Sequence, residues 1–301
     1  MKVIDTDPNF LRQAAAVSGH AYEQSIIHVE AEIKGVIPEL METLASEGPY
    51  GYTILPEVRA DGSVGLPIIT TREGIKEAYQ FVRGLSQLLS VTPLTEIRGS
   101  WYTFQDNLSR GRLKESGYEG PPRETLALFP SGAGTGITGE LVWVRVPKSR
   151  LGGDIGAADA EADGDTLNVA LEREKVYQRH CQYVDAVRGS NVEGVLSTLH
   201  DKAASAQRDY VNETGTLTTL EGTDAHRAHY QAFFEKYEVL SVDVLSLVAE
   251  DWYVFAEARF AVSDRRTNQI LGFNTAEFYT VANDGRFIAR IGHGTDPAPQ
   301  S

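Results

Sequence analysis

A single cysteine, Cys181, stands among 301 residues, so no disulfide can close within the chain. This fits a reducing compartment, and a cytoplasmic location is expected. No stretch approaches the roughly eighteen apolar residues of a membrane-spanning helix. Residues 1–19 have no apolar core behind a basic start, so no secretory signal is expected. Basic residues are also scarce. The 28 Lys and Arg against 42 Asp and Glu leave a net charge of −14. Phosphate backbones and anionic lipid need a basic surface, so neither nucleic acid nor a membrane is expected as a partner. The glycine-rich run Ser131-Gly132-Ala133-Gly134-Thr135-Gly136 has no Lys-Ser/Thr to make it a phosphate loop. His226 and His229 have a spacing that a metal could use, but no third ligand follows them. No cofactor and no metal are expected.

What is present is a repeat. Leu89-Ser90-Val91, Leu94, Trp101-Tyr102 and Phe104 recur as Leu240-Ser241-Val242, Leu245, Trp252-Tyr253 and Phe255, all at one offset of 151 residues. Tyr79 and Tyr230 keep that offset, as do Leu66 and Leu217. The offset is about half the chain, and the 42% hydrophobic content is ample for two packed cores. The reading is two copies of one domain: residues 1–147, a Gly-, Ala- and acid-rich linker at 148–168, and residues 169–301.

Each copy shows the same order of elements. In the first, an apolar stripe of Ile26, Val29, Ile33, Val36 and Ile37 predicts a helix, and Pro38 opens a second. A short hairpin turns at Ala60-Asp61-Gly62. Thr71 caps a third helix. Strands follow near 91–98, 101–108, 124–129 and 140–146, with an exposed loop over 109–122. In the second, Val176, Tyr177, His180, Val184 and Val187 form the stripe, Gly189-Ser190-Asn191 breaks it, and Thr223 caps the third helix. The last strands run near 239–249, 252–262, 270–282 and 287–292. Three helices over one face of a curved antiparallel sheet make an α+β cone, and a pocket between helices and sheet is the natural ligand site.

That order resembles the nuclear-transport-factor-2-like superfamily, and within it the SnoaL-like group. The resemblance rests on Ala186-Val187-Arg188-Gly189-Ser190-Asn191, Val195-Leu196 and Leu199-His200-Asp201, together with the closing hairpin around Asn283-Asp284-Gly285. It covers 171–297 well and 22–146 mainly through the repeat. It implies two tandem cones forming an intrachain pseudo-dimer, open to further homo-oligomerisation. It also implies cofactor-independent lyase or isomerase chemistry by acid and base on a hydrophobic, hydroxylated aromatic or polycyclic small molecule. The alternatives are a non-catalytic module for small-molecule binding or assembly, and an accessory subunit of a ring-hydroxylating oxygenase.

The candidate residues follow from these readings. His180 and Tyr177 lie on the second copy's first helix, and Tyr22 at the matching place in the first. Histidine can exchange a proton near neutrality, and a buried tyrosine can donate to an oxyanion. Asp209 lies near where isomerases of the family place a catalytic carboxylate, and the neighbouring Arg208 could hold a substrate anion. Arg59 occupies the analogous stretch of the first copy. His293, after the last strand, could reach the pocket. The Trp101-Tyr102 and Trp252-Tyr253 pairs are expected to pack rather than bind.

Overall fold

The computed structural model describes residues 8–132, 136–153, 166–212 and 215–300. Contacts divide the chain into two compact units. One is Met1–Ile54 with Ile69–Arg145; the other is Leu55–Ile68 with Val146–Ser301. The linker expected at 148–168 begins with a 3-10 turn, Lys148–Arg150, and residues 154–165 lie outside the described residues. Residues 133–135 of the glycine-rich run also lie outside them.

The first unit opens with α1 (Pro8–Lys34), α2 (Ile37–Glu42) and β1 (Gly51–Thr53). A small hairpin follows, β2 (Glu57–Val58) with β3 (Val64–Gly65), and is grouped with the second unit. Then come α3 (Arg72–Leu85), β4 (Ser86–Arg98), β5 (Tyr102–Leu113), β6 (Arg123–Pro130) and β7 (Gly139–Val144). Thr71 caps α3 as expected, its hydroxyl accepting from the Gly74 amide at 3.2 Å. The sheet order is β1-β7-β6-β5-β4, antiparallel except for β1, which runs parallel to β7. The first five residues of the expected 109–122 loop are strand, because Ser109–Leu113 continue the β4–β5 ladder. Pro93 sits beside a bulge on edge strand β4, where its missing N–H costs least.

The second unit repeats this plan with α4 (Thr166–Arg188), α5 (Val192–Thr198), β8 (Leu199–Arg208), β9 (Leu217–Glu221), α6 (Gly222–Lys236), β10 (Tyr237–Ala249), β11 (Tyr253–Asp264), β12 (Ile270–Val281) and β13 (Phe287–Gly294). A two-residue strand, β14 (Ala298–Pro299), pairs with β12. Strand β8 was not foreseen. It pairs parallel to β13, as β1 does to β7. Glu221, not Thr223, takes the N-cap position of α6.

Register agrees with the sequence repeat. The β4–β5 ladder has bulges between Leu88 and Ser90 and between Pro93 and Thr95. The β10–β11 ladder has them between Val239 and Ser241 and between Val244 and Ser246, at the same offset of 151. The Trp101–Tyr102 and Trp252–Tyr253 rings both meet edge-on at 4.9 Å. Each unit is therefore an α+β cone with three helices over a curved, mainly antiparallel sheet. Among the described residues, no helix is long and apolar enough to cross a membrane.

Candidate active site

The sequence placed an Ile/Val stripe on the inner face of α1. The structure buries a different one: Ala21, Ser25, His28 and Ala31 are buried, whereas Ile26, Val29 and Ile33 are only partly so. Small and polar residues there let the helix lie close to the sheet and carry polar groups inward. His28 and Glu32, one turn apart, share a face of α1. Tyr79 and Arg83, also one turn apart, share a face of α3.

His28, Glu32 and Tyr79 gather at Glu140 of β7, and Arg83 joins them through Glu32. Thr43 gives its hydroxyl proton to the Leu40 carbonyl (2.6 Å), so its oxygen accepts from His28 Nδ1 (2.6 Å) and fixes a proton on that nitrogen. His28 Nε2 faces the Tyr79 hydroxyl at 3.1 Å and Glu140 Oε2 at 3.4 Å. Tyr79 donates to Glu140. Arg83 donates to Glu32 at 2.5 Å. Burial and the Glu140 carboxylate push the Glu32 carboxyl up to about 7, against the lowering pull of His28 and Arg83. Burial and Glu140 also push the Tyr79 phenol well above its usual value, so it stays a protonated donor.

This cluster forms the floor of a cavity of about 400 Å³. Glu32, Tyr79, Arg83 and Glu140 line it at the floor, and Val82, Val142 and Val144 give it apolar walls. Glu32 keeps 13% of its side chain accessible there. A carboxyl that ionises near pH 7 can take a proton from carbon or oxygen, and the arginine beside it can steady the resulting oxyanion. His28, Glu32 and Glu140 also present donor atoms within 4.8 Å of one another, a spacing able to hold a cation. In this structure those oxygens are already engaged by Arg83 and Tyr79.

In the second unit the equivalent space is about 10 Å³, about enough for one water. The ladder registers identify what fills it. Ser109 pairs with Arg123 in the first unit, and Phe260 with Phe273 in the second. Phe260 and Phe273 stack at 4.9 Å, and Tyr210 stacks on Phe273 at 4.0 Å. One step beyond the Leu128–Leu141 pair stand Phe129 and Glu140; the matching pair is Tyr279 and Arg290. His28 lies 5.9 Å from the Phe129 ring, and His180 5.4 Å from the Tyr279 ring, which makes the two histidines counterparts. One turn on from each stand Glu32 and Val184. At the repeat offset, Arg83 becomes Phe234. The second unit thus has apolar groups where the first has its carboxylate–arginine pair. Arg290 instead bonds to Glu277 (2.6 and 3.0 Å) and to the Tyr230 hydroxyl (2.6 Å).

Of the residues expected to carry chemistry, Arg208 and His293 come close to each other, both on the Gly294 carbonyl (2.6 and 3.1 Å); the others are not gathered into one site. His180 is buried among Tyr183, Tyr279 and Arg290, and burial pushes it down to about 4. Tyr177 is 39% exposed, since the helix turns it to solvent and its expected inward face is corrected. Asp209 follows a strand rather than a helix. Its carboxylate takes the amides of Val211 and Asn212 (2.8 and 2.9 Å), capping a turn. Arg208 is buried and donates to the Gly294 carbonyl (2.6 Å) and to Asp296. His293 alternates with the cone-facing Arg290 and Gly292, so it lies on the opposite face of the sheet. Tyr22 lies under the Arg98 guanidinium at 3.5 Å. Arg59 belongs to the hairpin grouped with the second unit and pairs with Glu221 at 3.0 Å, exposed. Of the pair His226 and His229, the first is buried and the second partly so. His226 bonds to Ser205 (2.7 Å) and to the Gly222 carbonyl (2.7 Å), and His229 accepts from Gln207 (2.7 Å). Sequence reading missed Glu32, Arg83, Glu140 and His28. The available signal was polar residues one turn apart on two helices that otherwise read as apolar.

Residues 181–290 match the family described as the SnoaL-like domain. That match lies within the second unit. Solved structures similar to the chain include an epoxide hydrolase/cyclase-like enzyme of pyran ring formation in the polyether salinomycin (15% identity, 42% of this chain and 97% of that one, TM-score 0.36). Two others are an LEH-like epoxide hydrolase of M. tuberculosis (13%, 40% and 84%, 0.33) and a Δ5-3-ketosteroid isomerase of Mycobacterium sp. (15%, 39% and 91%, 0.34). At these identities the likeness concerns fold alone. A search of curated proteins finds no match. The family match falls on the unit with the filled cone, whereas the open cavity lies in the other unit.

Proposed function

We propose that the first unit is a cofactor-independent acid–base enzyme, a lyase or isomerase acting on a hydrophobic, hydroxylated small molecule of aromatic or polycyclic type. One observation carries this reading: Glu32, with its carboxyl near 7, stands open to an apolar cavity beside Arg83 and Tyr79. Glu32 takes the proton, and Arg83 steadies the developing oxyanion. The His28–Glu140 pair, linked through the Tyr79 hydroxyl, can pass a proton behind it. The solved structures named above include an epoxide hydrolase and a ketosteroid isomerase, which are reactions of this general kind. The second unit, with its filled cone, has a packing role in this reading.

The test is a panel of aromatic and polycyclic alcohols and ketones incubated in heavy water, with products read by mass. Products lighter by water or formaldehyde identify a lyase. Deuterium uptake into an unchanged skeleton identifies an isomerase. Glu32→Gln should lower turnover by roughly a hundred- to ten-thousandfold, and wild-type kcat/KM should rise with pH through about 7 as Glu32 ionises. Ligand binding with no conversion would replace this reading by the binding module, which the apolar walls also suit.

A further inference from the structure

The two ends of the first unit's cavity differ in charge. Its acidic lining residues, Glu32 and Glu140, both stand at the floor, with Phe129 of β6 next to His28. From Phe129 the cavity-facing positions of β6 run through Ala127 and Thr125 to Arg123, six residues and roughly 20 Å away. Arg110, Arg112 and Arg123 line this far end. Arg112 is paired with Glu119, and the nearby Glu124 is paired with Arg145. Arg110 and Arg123 are exposed and have no acidic partner among the described residues. In a chain of net charge −14, an opening lined by unpaired arginines is a local reversal of sign. The fold does not demand a cation there, since the matching residue of the second unit is Phe273.

We propose that the cavity selects amphipathic substrates with an anionic group, a carboxylate or a phosphate ester, at the end remote from the reacting centre. Arg123 holds that group, with Arg110 beside it. The apolar body lies along Thr125, Ala127 and Val142, and the opposite end reaches Glu32. Only the assignment of Glu32 to the reacting end rests on the acid–base reading; the preference for an anion does not.

Displacement of the fluorescent dye N-phenyl-1-naphthylamine from the full chain tests this, with lauryl alcohol, laurate and lauryl phosphate as matched competitors. Laurate, lauryl phosphate or both should displace the dye at roughly fivefold lower concentration than the alcohol. Preference for one of the two anions identifies which headgroup is taken. The gap should close in Arg123→Gln and at high salt, with the alcohol unaffected. Equal competition by all three on wild type overturns the proposal, as does a gap that survives Arg123→Gln combined with Arg110→Gln, or a failure of every ligand to bind. Glu32→Gln separates the two readings: it should end turnover and leave the anion preference intact.

Discussion

At the strand position where the first unit has Glu140, the second has Arg290, and the same helix tyrosine meets both. Tyr79 donates to the carboxylate, and Tyr230 accepts from the guanidinium at 2.6 Å. The scaffold kept the phenol and reversed the charge beside it. In the first unit the surplus carboxylate, Glu32, is left facing open space. In the second, Arg290 is neutralised by Glu277 and the space is taken by aromatic rings. Glycines at 292 and 294, where the first unit has Val142 and Val144, leave room for the Glu277 and Tyr210 side chains. Both cones bury charge, but one is packed with rings around it and the other retains a cavity.

The largest expected effect comes from breaking the second unit's ion pair. Arg290→Met leaves Glu277 buried without its cation and should destabilise that unit by about 3–5 kcal/mol. Adding Glu277→Gln should restore much of the loss. Hydrogen exchange of peptides from each unit in a urea series reads this out, and an unaffected second unit would show the pair to be dispensable. Phe273→Ala removes the middle ring of the Tyr210–Phe273–Phe260 stack and should cost about 3–4 kcal/mol. It should also open a second dye site; if only one dye still binds, rings at 273 are not what closes this cone.

A change spread over several pH units sharpens the comparison by its sign. Glu32 is raised to about 7 from 4.5, so between these values the folded state binds more protons than the unfolded. The first unit should lose stability as pH rises through that window and level off above it. His180, His226, His229 and His293 are lowered by burial to about 4 from 6.5. The unfolded state then binds more protons, and the second unit should lose stability as pH falls from 6.5 towards 4. Each group contributes at most about 1.4 kcal/mol per pH unit. Exchange protection, corrected for intrinsic rate, should therefore slope in opposite directions in the two units. Parallel slopes would break the contrast.

Strands were the most legible part of the sequence. The alternating runs of 252–262 and 270–282 correspond closely to β11 and β12, because β-branched and aromatic residues at period two have few other ways to pack. Strand β8 was hidden, since Ala203, Ala204 and Ala206 give no such alternation. The site was hidden for a related reason. An apolar stripe marks a helix, but it does not say which side faces a cavity that must hold charge. Tyr177 turned to solvent and His28 turned inward.

The sequence by itself determined that the chain is built twice, since nine identities at one offset need no structure to be seen. It also determined the order of the helices and of the long strands other than β8, because periodicity and capping act over a few residues. Only the tertiary structure decided which cone stays open. That depends on strand register, which sets Ser109 and Arg123 across from each other in one unit and Phe260 and Phe273 in the other. It depends equally on the desolvation of Glu32 by residues far away in the chain, an energy that arises only when they close around it.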